Sequence, residues 1–179
     1  DYDKIPLGFC DIPEITYGFG GAIEWKGFDV SIFFQGTARV SLFEEGSTIV
    51  PFSSGYKNND GFLRGVMENR WTVDNPDPNA RYPRTIRPSD ALDNNNTKKS
   101  SFWVRNAAFL RLKNAEIGYT FPKRWMEKMA IQNLRLYVSG VNLLTWAPDV
   151  HLFDPDLGSG DGRKYPPTRV FNVGLNINF

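Results

Sequence analysis

The chain has very little of three things: cysteine, histidine and continuous hydrophobic sequence. Cys10 is the only cysteine among 179 residues, so the chain can form no internal disulfide and no paired-cysteine metal site. His151 is the only histidine, so a catalytic triad would have to use it, and nothing in the sequence places Cys10 or a serine beside it. No apolar run approaches the roughly 18 residues of an ordinary transmembrane helix. We therefore expect neither an enzyme active site nor a membrane-spanning helix.

A surplus of charge of one sign is also missing. The 21 basic and 20 acidic side chains nearly cancel, and basic residues form only short clusters such as Lys98 and Lys99, so we expect no nucleic-acid partner. Aromatic residues, by contrast, make up 15% of the chain. The mean hydropathy of −0.40 is low, but a low mean also arises when apolar residues alternate with polar ones. The order of the residues is therefore more informative than their average.

Residues 169–179 alternate without interruption between apolar and polar or small side chains. The apolar side consists of Phe171, Val173, Leu175, Ile177 and Phe179. The other side consists of Asn172, Gly174, Asn176 and Asn178. A period of two indicates a strand with two unlike faces, and about 9 to 11 residues suit a tilted crossing of a bilayer. In a membrane barrel, the polar face would line the lumen and the apolar face would contact lipid.

The same period predicts four further strands. The five predicted strand ranges are 15–25, 27–36, 107–121, 133–146 and 169–179. Phe33 is an exception to the alternation of the second strand. In the third strand the alternation changes phase, and a bulge near Lys113 and Asn114 would explain that change.

Long and short connections alternate between these strands. Residues 37–105 and 147–168 lack alternation and contain many Gly, Pro, Asn and Ser residues, as loops do. We predict one short helix between Asp60 and Trp71, capped by Asp60, and a short helical turn at 122–130. Transmembrane barrels have long extracellular loops and short periplasmic turns, so the pattern predicts two outer loops, 37–105 and 147–168.

Aromatic residues gather where the predicted strands meet their turns, as they do in the interfacial girdles of membrane barrels. They are Trp25, Phe28, Tyr119, Phe121, Trp125, Trp146 and Phe179. Ordinary packing at hairpin ends is the alternative interpretation. Five strands cannot close a barrel, because single-chain bacterial barrels begin at about eight. We therefore expect either a fragment of a longer protein, which we favour, or several copies that share one barrel.

Several motifs, taken in order along the chain, resemble one family. They are Ile15-Thr16-Tyr17-Gly18-Phe19-Gly20, Trp25-Lys26-Gly27-Phe28-Asp29, Phe109-Leu110-Arg111-Leu112-Lys113-Asn114, Ile117-Gly118-Tyr119, Leu134-Arg135-Leu136-Tyr137-Val138-Ser139-Gly140 with Asn142-Leu143, Asp154-Pro155-Asp156, Tyr165-Pro166-Pro167, Arg169 and Phe179. Together they resemble the C-terminal end of SusC/RagA-type TonB-dependent outer-membrane transporters. The resemblance covers nearly the whole chain and is weakest over 37–101.

The resemblance implies an all-β fold made of the C-terminal antiparallel strands of a large transmembrane β-barrel, of the 22-stranded plugged class. It implies a multi-pass protein of a Gram-negative outer membrane that imports glycans or peptides with a SusD-like surface lipoprotein as its lid. The plug and the contact with TonB would lie in an N-terminal part absent from this chain. Outer-membrane lipid and the barrel-assembly machinery are the other implied partners, and the last strand, with Phe171 and Phe179, resembles the assembly signal.

Cations and aromatic rings are concentrated in the first long loop, where we predict that they bind a polar substrate. The candidates are Arg70, Trp71, Arg81, Tyr82 and Arg84, with Arg64 and Arg87 nearby. Alternatively, these side chains fix the loop against the barrel mouth or the lid. On the strands we expect polar side chains to face the lumen, since Arg or Lys facing lipid costs about 2 to 4 kcal/mol at the midplane. These strand residues are Asp29, Gln35, Arg111, Glu116, Arg135 and Asn176.

Two alternatives concern the second long loop and the fold. Asp154, Asp156 and Asp161 provide enough carboxylates for a calcium loop, but they lack the EF-hand spacing and its terminal glutamate. We therefore expect a solvated turn of Pro, Gly and Asp, and no cofactor. A soluble carbohydrate-binding β-sandwich is the rival fold, since it also combines short strands, exposed aromatics and long loops. It would bury the apolar strand faces against a second sheet.

Overall fold

The computed structural model describes residues 4–46, 49, 63–85, 96, 98–126, 130–160 and 162–179. Over these residues the fold is all-β, with two short helices. The strands are β1 (Ile15–Trp25), β2 (Phe28–Ala38), β3 (Ser41–Phe43), β4 (Val104–Asn106), β5 (Phe109–Thr120), β6 (Asn133–Trp146) and β7 (Val170–Asn178). The helices are α1 (Arg64–Glu68) and α2 (Lys123–Met126). Neither of them is long and apolar enough to span a membrane.

Five strands form one antiparallel sheet in the order β1-β2-β5-β6-β7. Their bounds lie within two residues of the predicted ranges. Residues 26–27 and 121–132 connect strands at one end of the sheet, which we call the turn end. The first long loop (39–108) and the second long loop (147–169) both leave from the opposite end, which we call the loop end.

The register of the sheet sorts its side chains onto two unlike faces. Phe28 pairs with Tyr119, Tyr119 with Leu136, and Leu136 with Leu175, so this row across the sheet is entirely apolar. The neighbouring row points the other way and consists of Asp29, Gly118, Tyr137 and Gly174. The same sorting holds along the paired strands. One face, the apolar face, therefore carries no charged residue at a paired position, and the other is the polar face.

The apolar face is open to the surroundings in the described chain. Ile23 is 74% exposed and Val173 is 75% exposed, although both are aliphatic. A soluble sandwich would cover such residues with a second sheet. The arrangement is instead the inverse of a soluble protein, because most of the larger apolar residues of the five-stranded sheet lie on this exposed face.

Aromatic rings form two belts on this sheet. At the turn end, the ring centroids of Phe28 and Tyr119 are 4.6 Å apart, and those of Tyr119 and Phe121 are 5.0 Å apart. Toward the loop end, Phe34 lies 5.2 Å from Phe19 and 6.4 Å from Trp146. Phe34 lies six positions after Phe28 on β2, which is about 20 Å of extended strand. In a barrel whose strands tilt by about 35–45°, this corresponds to about 15 Å along the membrane normal, so both belts would fall within the height of the roughly 25 Å apolar band and its flanks.

The two irregularities in the sequence pattern have structural explanations. Lys113 is an extra residue between Leu112, which pairs with Phe34, and Asn114, which pairs with Phe33, so a bulge lies where the sequence predicts one. Phe33 points to the polar face, where its ring covers Gly20 and Gly18. A Cβ atom added to Gly18 would come within 2.9 Å of the Phe33 ring, so a larger residue would not fit there.

The described part of the first long loop is folded, which the sequence pattern does not predict. β3 pairs with β4 in a second, two-stranded sheet. The predicted helix between Asp60 and Trp71 is wrong in length, because α1 ends at Glu68. It ends there since Arg70 pairs with Tyr82 in an extended bridge, and the Trp71 N–H donates to the Tyr82 carbonyl at 2.8 Å. Asp60 itself lies outside the described residues.

The buried core of the described chain lies in the long loops. One apolar cluster consists of Ile49, Val66, Tyr82 and Trp103. A second consists of Val40, Leu42, Ala107 and Val150. Phe153 of the second long loop packs against both clusters, so the two loops share one core. This loop core sits at the loop end of the sheet and positions the charged groups described next.

Candidate functional site at the loop end of the sheet

Glu44 is the centre of a buried charge network in the first long loop. Its side chain is 0% exposed. One carboxylate oxygen, Oε2, accepts a hydrogen bond from Nε of Arg105 at 2.9 Å, and the other, Oε1, lies 3.4 Å from Nη2 of Arg81. The hydroxyl of Tyr82 lies 3.5 Å from Oε2. Two guanidinium groups therefore compensate this carboxylate, as a buried charge requires.

Arg81 joins this network to the second long loop. Its Nη1 lies 3.1 Å from Oδ1 of Asp149, and its Nη2 donates to the Asp149 carbonyl. The Asn106 N–H donates to the other Asp149 oxygen at 2.9 Å. Burial raises the pKa of Asp149, but the Asn106 N–H and Arg81 outweigh burial and hold the pKa below its usual value. The pKa of Arg81 is raised, since its contacts with Tyr82, Glu44 and Asp149 outweigh its burial.

Arg111 forms a second charged cluster on the polar face of β5. Its side chain is 2% exposed. Nη2 donates to both Asp154 oxygens at 2.6 and 2.7 Å, and Nη1 donates to Asp156 Oδ2 at 2.7 Å. Nε donates to the Thr145 hydroxyl on β6 at 3.0 Å. Burial raises the pKa of Asp156, and the neighbouring Asp154 carboxylate adds to the increase, while Arg111 opposes it.

A third charged cluster lies on the polar face near the turn end. Nε of Arg135 on β6 donates to Asp29 Oδ2 on β2 at 3.0 Å, and its Nη2 donates to Glu116 Oε1 on β5 at 2.6 Å. All three side chains belong to the set that the sequence predicts to share the polar face. The register places them there together, with Arg111 and Gln35 on the same face.

Comparison with known proteins finds similar sequences and similar structures. No protein-family profile matches the chain. The TonB-dependent receptors P26 and P3 of Formosa agariphila are 29% and 30% identical to it, over 99% and 93% of this chain and 18% and 16% of theirs. The solved RagAB peptide transporter matches with a TM-score of 0.67 at 24% identity, over 97% of this chain and 18% of that one. The RagAB peptide importer in its closed-closed state gives 0.69 at 23% identity, with the same coverage.

The chain is thus similar to one segment of SusC/RagA-type TonB-dependent transporters. It spans about one sixth of the length of the curated relatives it matches. These relatives are named as receptors, and the solved structures are described as transporters and importers. The resemblance stated from the motifs is therefore confirmed.

The predicted substrate-contact residues differ in their surroundings. Arg81 and Tyr82 are partners of Glu44 in the loop core, and burial, aided by the Glu44 charge, raises the pKa of the Tyr82 hydroxyl. Arg70 is half-buried, and its Nη1 donates to the Met67 carbonyl. Trp71 is also half-buried, whereas Arg84 is exposed. Arg64, named beside them, is exposed, and Arg87 lies outside the described residues. Substrate contact by any of these residues stays a prediction.

Two of the three carboxylates considered for calcium have other partners in the described chain. Asp154 and Asp156 both bind Arg111, and the Asp154 carboxylate also accepts the Asp156 N–H at 3.0 Å. Asp161 lies outside the described residues. The part of the chain that the structure describes contains no group of three or more His, Cys, Asp or Glu side chains arranged for a metal ion.

Sequence reasoning missed the centre of the loop network. Glu44, Arg105 and Asp149 belong to no recognisable motif. The one feature of the sequence that could have indicated them is that each lies within two residues of a buried apolar residue, as Glu44 does after Leu42.

Proposed function

We propose that this chain forms part of the wall and outer loops of an outer-membrane importer that takes up peptides or glycans. The observation that carries the proposal is the exposed apolar face of the five-stranded sheet, which carries aromatic rings both at the turn end and toward the loop end. Similarity to this family supports the same conclusion. The polar face would then line the lumen, and the turn end would face the periplasm.

The proposal includes the rest of the barrel. The five strands would be the C-terminal strands of a 22-stranded plugged barrel, with the plug and the TonB contact in a part of the protein outside this chain. A SusD-like lipoprotein would cover the loop end, and β7 with Phe171 and Phe179 would be read by the barrel-assembly machinery. The solved RagAB proteins are described as peptide importers, which favours peptides as the first substrates to test. We propose no covalent chemistry for this segment.

Membrane fractionation of the full-length protein tests the proposal directly. We expect the protein in the outer membrane, where it should migrate differently on a denaturing gel before and after heating, as a folded barrel does. Deletion of its gene should abolish growth on one of two limiting nutrients, a defined peptide mixture or an oligosaccharide mixture. Recovery of the protein as a soluble species would instead support the carbohydrate-binding sandwich. If the protein is an outer-membrane barrel but its loss changes neither peptide uptake nor oligosaccharide uptake, the assignment of this chain to the barrel wall would stand and the import role would be rejected.

A further inference from the structure

The second long loop folds over the polar face of the sheet. Thr37 on β2 pairs with Phe109 on β5, and Arg111 pairs with Thr145 on β6, so all four residues lie on that face at the loop end. Pro155 sits in the 3₁₀ turn Pro155–Leu157, and Pro155, Asp156 and Gly158 line a cavity of about 130 Å³ together with Thr37 and Phe109. With the Arg111 contacts of Asp154 and Asp156, this places the turn against the polar face at the loop end of the sheet.

At the loop end, residues on the polar face are more buried than residues on the apolar face. Thr37 is 6% exposed and Phe109 is 5% exposed, although both point to the polar side. At the same level of the sheet, Trp146 on the apolar face is 50% exposed. A loop that bends across the polar face would bury residues there and leave the apolar face exposed, as this difference in exposure requires.

Arg111 holds the turn in place by binding two carboxylates of the turn. Asp154 and Asp156 flank Pro155, whose ring fixes the backbone between them. The guanidinium also stacks on the Phe109 ring, with its carbon 4.9 Å from the ring centroid. Both carboxylates that bind Arg111 come from the turn, so its charge is compensated only while the turn lies on the wall.

The far side of the turn is tied to the first long loop. Gly160 exchanges backbone hydrogen bonds with that loop, donating to the Phe43 carbonyl at 3.0 Å and accepting from the Glu45 N–H at 3.1 Å. The Ser159 hydroxyl accepts the Phe43 N–H at 3.1 Å. The 154–160 segment is thus held between the sheet wall and the loop core.

We propose that residues 154–158 form a fixed constriction at the loop end of the polar face, and that Arg111 is the positioning residue that holds it there. This inference rests on the proposed function, since the polar face is an entrance only if it lines a barrel lumen. In that barrel the turn would narrow the mouth, and a solute entering along this wall would have to pass the turn edge. Loss of the Arg111 contacts would let the turn lift and would uncover Thr37 and Phe109.

Thiol labelling in the full-length membrane protein tests the constriction. Cys10 is replaced by serine, because it is an exposed thiol, and a single new cysteine is introduced by Thr37→Cys. Within the described residues the Thr37 hydroxyl has no hydrogen-bond partner, so this near-isosteric change breaks no protein hydrogen bond there. The matched control is Gln35→Cys, since Gln35 is exposed on the same strand and the same face. A membrane-impermeant maleimide is then applied to outer membranes.

With the turn in place, the cysteine at 37 should react much more slowly than the cysteine at 35. The combined change Arg111→Met, Asp154→Asn and Asp156→Asn removes the charges on both sides and should speed labelling at 37 by about tenfold through local opening. Labelling at 35 should change much less, because position 35 is already exposed, although it pairs with Arg111. Arg111→Lys should give an intermediate rate, since an ammonium cannot replace the bidentate fork.

Each result has a distinct meaning. Equal rates at 37 and 35 without any change at Arg111 would overturn the constriction, and this comparison needs no folding-sensitive variant. An unchanged slow rate at 37 in the triple variant, with heat-modifiable migration showing a folded barrel, would overturn the role of Arg111. Absence of the protein from the outer membrane would reject the proposed function itself.

Discussion

Arg135 on β6 reaches across the whole of β5 to bind Asp29 on β2, so this ion pair joins two strands that are not neighbours in the sheet. The residue beneath the pair on β5 is Gly118. A Cβ atom at Gly118 would lie 2.5 Å from Arg135 Nη2 and 2.6 Å from Asp29 Oδ2. The missing side chain of Gly118 is therefore what allows the two charges to meet.

Gly118→Ala should destabilise the folded barrel by about 1 to 3 kcal/mol, because the new methyl group displaces one partner of the pair. The measurement is the temperature at which the unheated, folded form converts to the unfolded form on a denaturing gel. Gly21→Ala is the matched control, since nothing lies within 4 Å of a Cβ atom there. Equal midpoints for the two variants would show that the pair does not depend on Gly118.

Glu44→Ala should loosen both long loops, since it leaves Arg81 and Arg105 without their shared carboxylate. Breaking a buried ion pair of this kind costs about 3 to 5 kcal/mol. We expect faster proteolysis of the loops in outer membranes, with the wall still heat-modifiable. Glu45→Ala is the control, because its pair with Lys99 is exposed and such pairs contribute little. Similar proteolysis rates in both variants would contradict the central role of Glu44.

Acid should release the contact between the two long loops that Asp149 makes. The folded pKa of Asp149 is lower than its usual value, so its stabilising contribution is fully present above that usual value, about 3.9, and is lost as the pH falls through the folded pKa. Pepsin digestion across this range measures the loss. Asp149→Asn should weaken the loops at neutral pH and show a smaller further change in acid. An equal acid response in the parent and the variant would exclude Asp149 as the titrating group.

Charge on the two faces of β6 should have opposite consequences. Val138→Arg places a cation on the apolar face, where contact with lipid costs about 2 to 4 kcal/mol near the midplane, whereas Ser139→Arg places it on the polar face. Val138 is 44% exposed, so in a water-soluble protein the first change would cost little. The yield of folded protein in the outer membrane compares them. Equal yields would argue against lipid contact on the apolar face.

Substrate contact and loop support can be separated among the predicted residues. Arg84→Ala should weaken binding of a peptide or glycan substrate by about 1 to 3 kcal/mol if Arg84 donates a charged hydrogen bond to it, with loop proteolysis unchanged. Arg81→Ala should speed loop proteolysis, because Glu44 and Asp149 lose their shared partner. Calorimetric titration of the purified full-length protein measures substrate affinity, and the proteolysis rate measures how well the loops are held. Unchanged affinity in Arg84→Ala would remove it from the substrate site.

The strands and their faces follow from local pattern. Residues two apart in a strand point the same way, so the alternation of Phe171, Val173 and Leu175 predicts a face without knowledge of any partner strand. The bulge at Lys113 is equally local, because one extra residue inverts the phase of everything after it. Most of the motifs that carry the family resemblance lie on these regular strands, which is why the resemblance also could be inferred from the sequence.

The loop contacts were decided only by the tertiary structure. Glu44 meets Arg105 from 61 residues away, and Arg81 meets Asp149 from 68 residues away. No periodicity relates such positions, so sequence reasoning assigned Arg81 and Tyr82 to substrate and overlooked Glu44. The sequence by itself determined a sheet with one apolar and one polar face. Folding of the long loops then decided which charges compensate one another, because a buried charge takes its partner from whatever part of the chain the packing brings within hydrogen-bond distance.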